Sequence, residues 1–375
     1  MQIERIRLSH HRIPLDPPFH PTWDRRERES FVVSLVRVET DEGLVGIGSG
    51  DAMYGLADHE ALFVGRDPLD LERHARVIEN LSFHYARYWP LDVALWDLAG
   101  KIRGQPCWRL LGGRTGRVPV YASSGMRREP EQVAELALRM ADAGFPALKL
   151  RFWHEDWQRD VAGVAAARAA VGDRLQLMAD CNQAWRMPWD TQDPWSYGDA
   201  LSVVRELGEV GVRWVEEPLH RGDLDGLRRL RESTGVPIAG AELTRELHEL
   251  GELVRRGCLD VLQPDVVLTG GFSGLRGIAA LAREHGIAFT PHTWGNGIGL
   301  VANAHLFAGV GGEPWLEYPF DPPGWTPERR DLGLREPLSL DAEAMLDLGE
   351  APGLGLELDE ERLAATRIDS LGDAR

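Results

Sequence analysis

The sequence predicts an α/β fold in which a closed barrel of parallel strands follows a smaller region of mixed strands and helices. Short apolar runs rich in β-branched residues recur eight times after residue 117, and segments of helical period that end in glycine separate them. Eight strand–helix units over roughly 200 residues match a (β/α)8 barrel in number and length. A doubly wound open sheet uses the same alternation, but eight units favour closure.

The first third of the chain is predicted to contain both types of element. Residues 31–48, FVVSLVRVETDEGLVGIG, alternate like two strands joined at Asp41-Glu42-Gly43, which predicts a hairpin. From Asp58 to Gly104 the pattern becomes helical, with apolar residues at i, i+3, i+4 and i+7 in LDVALWDLAGKI. The stretch RLLGGRTGRVPV then indicates a helix stop and a linker, which places the first boundary near residue 117.

The eight predicted strands of the barrel follow in order. They are VPVYASS, ALKLRF, LQLMADCN, RWVEEP, PIAGAE, VLQPDVV, IAFTPH and PWLEYP. The helices between them include PEQVAELALRMADAGF, DVAGVAAARAAVG and SGLRGIAALAREHG. The sequence therefore predicts three parts: residues 1–117 as an N-terminal α+β domain, residues 118–325 as the barrel, and residues 326–375 as a tail that returns to the first domain.

Composition argues against several classes of function. The formal net charge of -17 disfavours nucleic-acid binding, which needs a basic face to neutralise phosphates. The three cysteines are far apart and form no CxxC motif, so neither a disulfide framework nor a structural zinc site is expected. The stretch MQIERIRLSHHRIPL lacks the apolar run of a signal peptide, and no apolar segment reaches membrane-spanning length. We expect a cytoplasmic protein that acts on a small molecule.

Ionisable residues lie at the C-terminal ends of the predicted strands, where the active site of a barrel forms. A buried parallel strand is otherwise almost continuously apolar. Each successive unit delivers such a group to the same end of the barrel. The polar residues are Lys149, Arg151, Asp180, Asn182, Glu216, Glu217, Glu242, Asp265, His292 and Glu317. Asn182 shares a strand face with Asp180, so it is predicted to contact substrate or a metal-bound water.

Three of these acids, Asp180, Glu216 and Glu242, follow adjacent predicted strands and suit a hard divalent cation. Magnesium takes oxygen ligands in octahedral geometry and keeps positions open for water or substrate. Nitrogen donors are few at this end of the barrel, which disfavours zinc. Ion pairing with Arg151 or Arg213, or helix capping, explains a single acid equally well. Three acids in successive strands favour Mg2+.

Asp265 and His292 occupy the next two units. An aspartate beside a histidine fixes the imidazole tautomer and raises its basicity, as in an acid–base pair. A structural role is the ordinary interpretation of an isolated histidine, and the other eleven of the 12 histidines receive it. His20 is a partial exception, because it lies with Trp23 in a proline-rich loop that is placed to cover a site.

Several motifs together resemble the enolase superfamily, in its mandelate racemase/muconate lactonizing enzyme branch. In chain order they are ALKLR, DCNQAW, WVEEP, GAE, QPD with the following Gly-Gly, PHTWG and WLEYP. The earlier segment DVALWDLAGKIRGQPCWRLLGG is similar to the stretch that joins the capping domain of that family to its barrel. The resemblance implies a modified TIM barrel, (β/α)7β, under an α+β capping domain formed by the N-terminal part and the C-terminal tail. It also implies a homo-oligomer.

The resemblance further implies roles for individual residues of the barrel. It implies Mg2+ on Asp180, Glu216 and Glu242. It implies that His292 and Asp265 form a dyad that acts as acid or base on one face of the substrate. Glu317 matches the position that hydrogen-bonds the substrate carboxylate and stabilises an enolate.

The capping domain is expected to supply the specificity loops. By resemblance these correspond to the surroundings of His20–Trp23 and of Asp51–Tyr54. Substrate contacts are therefore expected from His20, Trp23 and Tyr54 in these loops, and from Asn182 and Trp294 in the barrel.

The pair Lys149 and Arg151 departs from the usual K-x-K of the family, in which the second lysine is a base opposite the histidine. An arginine side chain stays protonated near neutral pH, so Arg151 is suited to hold an anion and not to accept a proton. One-sided elimination needs only His292, which favours dehydration of a sugar acid to a 2-keto-3-deoxy acid. The alternatives are a sugar-lactone cycloisomerase, a racemase or epimerase, and a non-catalytic barrel that binds a metal or sugar acid.

Overall fold

The computed structural model describes residues 1–50, 53 and 55–369. Its N-terminal part contains an antiparallel sheet, a 3-10 helix (Leu56–Leu62) and three α-helices. The strands are β1 (Ile3–Phe19), β2 (Arg28–Thr40) and β3 (Val45–Gly50), and β13 (Arg367–Ile368) from the tail pairs with β1. The helices are α1 (Leu71–His84), α2 (Trp89–Arg103) and α3 (Cys107–Leu110).

The predicted hairpin is confirmed, because β2 and β3 pair antiparallel around a turn in which Gly43 has φ 83°. The sequence pattern predicts no strand over β1. Arginine, serine and histidine side chains interrupt its apolar residues, so the period of two is weak. Tertiary pairing fixes β1 as a strand, since most of its length runs antiparallel to β2.

Helix α2 connects the N-terminal sheet to the barrel. On one side it lies so close to β3 that a Cβ at Gly48 would be 1.9 Å from the carbonyl oxygen of Pro90. On the other side the Trp96 indole packs against Phe272 and donates a hydrogen bond of 2.8 Å to the Ser273 hydroxyl. The close approach to β3 therefore depends on glycine at that position.

All eight predicted barrel strands form, in the predicted order. They are β4 (Arg117–Ser123), β5 (Ala147–Arg151), β6 (Gln176–Asp180), β7 (Val215–Glu216), β8 (Ile238–Gly240), β9 (Val261–Leu262), β10 (Ala288–Phe289) and β11 (Leu316–Pro319). Seven helices alternate with them: α4 (Pro130–Asp142), α5 (Trp157–Val171), α6 (Tyr197–Val210), α7 (Leu224–Thr234), α8 (Leu247–Arg255), α9 (Gly271–Glu284) and α10 (Gly297–Val310). The predicted (β/α)7β architecture is confirmed.

The barrel closes between its first and last strands. β4 and β11 pair in parallel, with Tyr121 opposite Glu317. Between β10 and β11, the backbone N–H of Glu313 donates to the Phe289 carbonyl at 3.1 Å, and the Thr290 hydroxyl donates to the Trp315 carbonyl at 2.6 Å. Closure brings the C-terminal ends of all eight strands into one ring.

The tail after residue 325 contacts both parts of the molecule. It contains α11 (Pro327–Arg330), β12 (Met345–Asp347) and α12 (Glu360–Thr366) before β13. β12 pairs antiparallel with barrel strand β4, and β13 places Ile368 opposite His10 of β1. The domain boundaries at 117 and 325 stay a prediction. Across the described part of the chain, no helix is both long and apolar enough to cross a membrane.

His305 on α10 gives the fold a specific acid sensitivity. Its imidazole is fully buried: Nδ1 lies 3.0 Å from the backbone N–H nitrogen of Trp108 and Nε2 lies 3.2 Å from the Leu354 carbonyl oxygen. Burial lowers the pKa of His305 from 6.5 to about 4. Between these values the unfolded chain binds a proton that the folded chain does not, so stability present above pH 6.5 is lost as pH falls towards 4.

We expect this loss to approach 1.4 kcal/mol per pH unit, or roughly the energy of one pKa unit for a single proton. Urea unfolding of the wild type and of His305→Asn at pH 7, 6, 5 and 4.5 measures it. The substitution destabilises the fold at neutral pH, but its curve of stability against pH should be the flatter of the two. Parallel curves would contradict the assignment to His305.

Candidate active site

The polar residues predicted at the strand ends converge at one end of the barrel, and all of them except Asn182 are buried. Lys149 and Arg151 lie on β5, Asp180 on β6 and Glu216 on β7. Glu317 lies on β11, and Glu242, Asp265 and His292 follow β8, β9 and β10. Neighbouring parallel strands place these groups side by side, since Arg151 pairs with Asp180 and Asp180 with Glu216 in register. The strand order of the barrel thus builds the site directly.

Asp180, Glu216 and Glu242 offer carboxylate oxygens that lie within 4.8 Å of one another. Each carboxylate accepts at least one hydrogen bond. Asp180 accepts from Arg151 at 2.5 Å, Glu216 from Lys149 at 2.8 Å and Glu242 from the Trp185 indole at 2.8 Å. The second oxygen of Glu242 is buried and has no hydrogen-bond partner among the described residues. The other oxygens of Asp180 and Glu216 also accept, from the Asn182 backbone N–H at 2.9 Å and from Gln263 at 3.0 Å. The three side chains are therefore oriented, and Oε2 of Glu242 is the oxygen among them that has no hydrogen-bond donor among the described residues.

The charge balance of the site fits a divalent cation. Among the described residues, six carboxylates are buried there: Asp180, Glu216, Glu217, Glu242, Asp265 and Glu317. The permanent positive charges are Lys149 and Arg151. Burial and neighbouring carboxylates raise the pKa values of Asp180, Glu216 and Glu217. A cation of charge two with oxygen ligands would relieve this excess, and the donor set suits Mg2+.

The backbone bends sharply where these ligands leave their strands. Asn182, Glu217 and Ala241 have φ of 52°, 48° and 90°, which is unusual for residues other than glycine. They follow β6, β7 and β8, next to the three clustered acids. Left-handed residues at consecutive strand ends indicate that packing maintains local strain to aim these carboxylates inward.

His292 and Asp265 form the predicted pair. Nδ1 of His292 lies 3.0 Å from Oδ2 of Asp265, and its Nε2 lies 3.3 Å from Oε2 of Glu242. Although burial lowers it, the nearby carboxylates of Glu242, Glu317 and Asp265 raise the pKa of His292 to about 9. Asp265 thus fixes which imidazole nitrogen faces the carboxylate cluster.

Lys149 joins two carboxylates at the bottom of the site. Its fully buried ammonium lies 2.8 Å from Glu216 and 2.7 Å from Glu317. Desolvation lowers the pKa of this lysine, but the attraction of Glu216 and Glu317 outweighs it and raises the pKa above its ordinary value. Lys149 therefore remains a fixed positive charge.

Arg151 is held on every side. One Nη nitrogen pairs with Asp180 at 2.5 Å, the other lies 3.3 Å from Glu317, and Nε donates to the Ser124 carbonyl at 3.0 Å. The guanidinium carbon lies 5.1 Å from the Trp23 ring centroid and 5.5 Å from that of Trp294. Burial lowers the pKa of Arg151, but the neighbouring carboxylates raise it by more. The pKa therefore lies above its ordinary value. A guanidinium in this state cannot accept a proton.

Glu317 is an acceptor in this structure. It receives hydrogen bonds from the Ser123 hydroxyl at 2.6 Å and the Thr293 backbone N–H at 2.9 Å, besides its pair with Lys149. Burial raises its pKa, but Lys149, His292 and Arg151 lower it well below the ordinary value. By resemblance, Glu317 would donate a hydrogen bond to the substrate carboxylate. That role requires a proton on Glu317, and the side chain lacks this proton in the present arrangement.

A cavity of about 410 Å3 opens beside this cluster. Its barrel wall carries Arg151, Glu242, Asp265 and His292, and Trp23, Trp185 and Trp294 also line it. Lys149, Asp180, Glu216 and Glu317 are not part of the lining and lie deeper in the barrel. A second cavity, of about 710 Å3, shares Trp23 and Trp185 with the first and is also lined by Asn182.

The structure brings some of the predicted substrate-contacting residues to the site and leaves others away from it. Trp23 and Trp294 line the first cavity. The side-chain amide of Asn182 donates to the Phe152 carbonyl at 2.8 Å and lies at the edge of the site, 3.4 Å from Arg151. His20 is not brought to the site: its imidazole is half exposed, lies 3.7 Å from Glu27 and lines neither cavity. Tyr54 lies outside the described residues.

Two supporting residues are not predicted by the sequence. Gln263 donates to Glu216 at 3.0 Å, and Asn303 on α10 donates to Oδ1 of Asp265 at 2.8 Å. Asn303 is fully buried, and its own amide oxygen accepts from the Val266 backbone N–H at 2.9 Å. A lone amide inside the apolar run GIGLVANAHLFAGV is the sequence signal that points to it. Asn303 leaves the second oxygen of Asp265 free to face His292.

Removing the Asn303 amide should slow catalysis without preventing binding. In Asn303→Leu, Oδ1 of Asp265 loses one of its two buried donors and keeps the Val267 backbone N–H at 3.0 Å, so the aspartate holds His292 less firmly in one orientation. We expect kcat to fall by about 10–100-fold, as is usual for partners of active-site ligands, with KM little changed. Steady-state kinetics in an Asp265→Asn background is the control, where the same change should cost less than about threefold. Equal losses in both backgrounds would show a merely structural role.

Comparisons with known proteins agree with this geometry. Residues 132–362 match the family described as enolase C-terminal domain-like, and residues 3–112 match the mandelate racemase / muconate lactonizing enzyme N-terminal domain. The chain is 30% identical to D-galactarolactone cycloisomerase of Agrobacterium fabrum, over 97% of this chain and 98% of that protein. It is 29% identical to arabinonate dehydratase of Saccharolobus solfataricus, over 86% and 87% of the two chains.

A solved structure carries the same fold with a metal. A racemase from Streptomyces coelicolor with bound magnesium superimposes with a TM-score of 0.82 and 27% identity, covering 98% of this chain and 100% of that one. The family matches together span both the N-terminal part and the barrel, and relatives that catalyse isomerisation and dehydration align along nearly the whole chain. This chain is an enzyme of the enolase superfamily and belongs to its mandelate racemase/muconate lactonizing enzyme branch.

Proposed function

We propose that the enzyme removes the proton α to the carboxylate of a sugar acid and eliminates the 3-hydroxyl, which yields a 2-keto-3-deoxy acid. The observation that carries the choice is Arg151. Its guanidinium occupies the position of a second base, and two carboxylates and two indoles hold it there protonated. Among the described residues of the site, His292 is the group suited to exchange a proton. Its pKa is about 9 largely because the Glu242 carboxylate lies 3.3 Å away, and a cation held by that carboxylate would lower the pKa and leave Nε2 able to accept. A reaction that needs one base is therefore favoured over racemisation.

The energetic demand explains why the carboxylate cluster is needed. The C–H group α to a carboxylate is a weaker acid than imidazolium by on the order of 20 pK units, or roughly 27 kcal/mol. Asp180, Glu216 and Glu242 would hold Mg2+, which supplies Lewis-acid stabilisation of the negative charge that develops on the substrate carboxylate. Lys149 adds a fixed positive charge in the same low-dielectric region.

His292 can perform both proton transfers on one face. Asp265 holds Nδ1, so Nε2 is the nitrogen that takes the α-proton. The electron pair of the broken C–H bond forms the C2–C3 double bond, and the 3-hydroxyl departs with the proton that Nε2 returns. Water leaves, and the enol product tautomerises to the 2-keto acid. The cycle needs no oxidant and no second base.

The decisive test is a screen of acid sugars with Mg2+, read by a 2-keto-acid assay and repeated in D2O. We expect a 2-keto-3-deoxy acid that carries deuterium at C3, while recovered substrate keeps its configuration at C2. Racemised substrate, or rapid exchange at both faces, would contradict a one-base dehydratase.

Cycloisomerisation is the second candidate, and the 30% identity to a galactarolactone cycloisomerase over 97% of this chain favours it. The same proton removal by His292 would then expel a ring oxygen instead of a free hydroxyl. A parallel screen of sugar lactones separates the two reactions. Turnover of lactones alone would assign the enzyme to the isomerases.

A further inference from the structure

The cavity beside the site has a second wall that differs from the barrel wall. Residues of the N-terminal part form it, among them Phe19, Trp23, Arg28 and Phe31. Most of these are apolar or aromatic. Phe31 packs 5.2 Å and Phe19 5.4 Å from the ring of Trp325, which lines the same cavity. Within the described lining, Arg28 is the charged side chain of this wall.

Arg28 is neutralised but has an unused donor. Its Nη2 donates to Oδ2 of Asp24 at 2.7 Å; the Arg28 side chain is 34% exposed and the Asp24 side chain 1% exposed. Asp24 is itself fixed, since Oδ1 accepts from the Trp189 indole at 2.9 Å and the Arg26 backbone N–H at 3.0 Å. Nε of Arg28 is buried and has no partner among the described residues. A buried N–H without an acceptor is costly, so a ligand group that accepts from it is stabilised there.

We propose that Nε of Arg28 binds the end of the substrate farthest from its reacting carboxylate, and that this end is a neutral hydroxyl. The inference rests on the proposed function and deepens it: the substrate is a monocarboxylic sugar acid (an aldonic acid) and not a dicarboxylic one (an aldaric acid). Arg28 thereby becomes a specificity-determining residue.

The charge state of the wall carries this choice. A second substrate carboxylate would enter an apolar pocket in which the arginine is already paired with Asp24. It would lose its water without gaining a free cation, and the aromatic faces around it carry partial negative charge. A hydroxyl needs only one donor and brings no charge, so the Arg28 Nε–H satisfies it.

Ligand binding to the Mg2+-loaded enzyme tests the inference separately from turnover. Thermal-shift titrations would compare gluconate with glucarate and galactonate with galactarate. We expect the aldonate of each pair to bind at least tenfold more tightly, and aldarates that bind equally well or better would overturn the proposal. Dehydration is measured independently: an aldonate preference without 2-keto-acid formation would refute the proposed reaction and leave the assignment of Arg28 intact.

Removing the negative charge that pairs with Arg28 should shift the binding preference from aldonates towards aldarates. In Asp24→Asn the amide keeps the acceptor for Trp189 but no longer neutralises Arg28, so aldarate affinity relative to aldonate should rise at least tenfold. Glu155→Gln is the matched control. It also removes one negative charge, and the partner it takes away belongs to Arg25, the residue next to Asp24, in an exposed ion pair. An unchanged ratio in Asp24→Asn would contradict the proposal. Should that variant not fold, Arg28→Gln decides: aldonate affinity must fall about tenfold, and an unaltered affinity excludes the contact.

Discussion

Replacing His292 with asparagine is expected to abolish detectable turnover. Nε2 of His292 is the proposed acceptor of the α-proton, and the amide of asparagine cannot take up a proton near neutral pH. General acid–base groups contribute about 10²–10⁴-fold, and His292 acts in both proton transfers, so the loss should reach at least the upper part of that range. Single-turnover and steady-state assays of 2-keto-acid formation measure it.

The control for this variant is its metal binding. The carboxylates of Asp180, Glu216 and Glu242 are unchanged in His292→Asn, so calorimetric titration with Mg2+ should give wild-type stoichiometry and affinity within a few fold. Retention of full activity would refute the role of His292. Loss of both activity and metal binding would show that the imidazole mainly supports the fold of the site.

Replacing Glu242 with glutamine is expected to have the second large effect, through the cation. Within the described part of the chain, one buried oxygen of Glu242 has no hydrogen-bond partner, and the Trp185 indole holds the other. Glutamine keeps the shape and an acceptor for Trp185 but removes one negative charge from the cluster. We expect Mg2+ affinity to fall by at least tenfold and turnover by about 10³-fold or more, since stabilisation of the enolate depends on the cation.

Thermal unfolding with and without Mg2+ separates this effect from misfolding. A cation that binds only the folded state adds about 2.7 kcal/mol at a hundred times its Kd. The wild type and an exposed control, Glu209→Gln, should therefore gain stability with Mg2+, whereas Glu242→Gln should gain little. Without Mg2+ the variant should be at least as stable as the wild type, because fewer buried carboxylates repel each other. A normal Mg2+ gain in Glu242→Gln would contradict its role as a ligand.

The barrel could be predicted because its strands are buried on both faces. Such strands must be apolar until they end, so Asp180, Glu216 and His292 stand out as the first ionisable groups after each run. Their spacing by one strand–helix unit then fixed them to one end of the barrel. The same reasoning gave the Asp265–His292 pair, whose 3.0 Å contact the structure contains.

The wall of the cavity that the N-terminal part forms could not be predicted in this way. β1 has no clean period of two, and the side chains that reach the cavity from it, such as Leu15 and Phe19, depend on pairing with β2 and on packing against Trp325. His20 and Trp23 are neighbours in sequence, yet only Trp23 turns inward. Loop orientation is decided by tertiary contacts that leave no periodic signal.

The hydrogen-bonding and charge states of the site residues also could not be predicted from the sequence. Glu317 lies at the predicted position, but Ser123, Thr293 and Lys149 all donate to it, which makes it an acceptor. The chemistry of arginine alone predicts that Arg151 is a poor base. The indoles of Trp23 and Trp294 that fix its position became apparent only in three dimensions.

The most direct test of the central claim is the location of the cation itself. Crystals grown with Mn2+ in place of Mg2+ would be measured at a wavelength where manganese scatters anomalously. We expect one strong peak per chain, within roughly 2.0–2.3 Å of an oxygen from each of Asp180, Glu216 and Glu242. A peak elsewhere, or none at saturating Mn2+, would contradict a metal-assisted reaction at this end of the barrel.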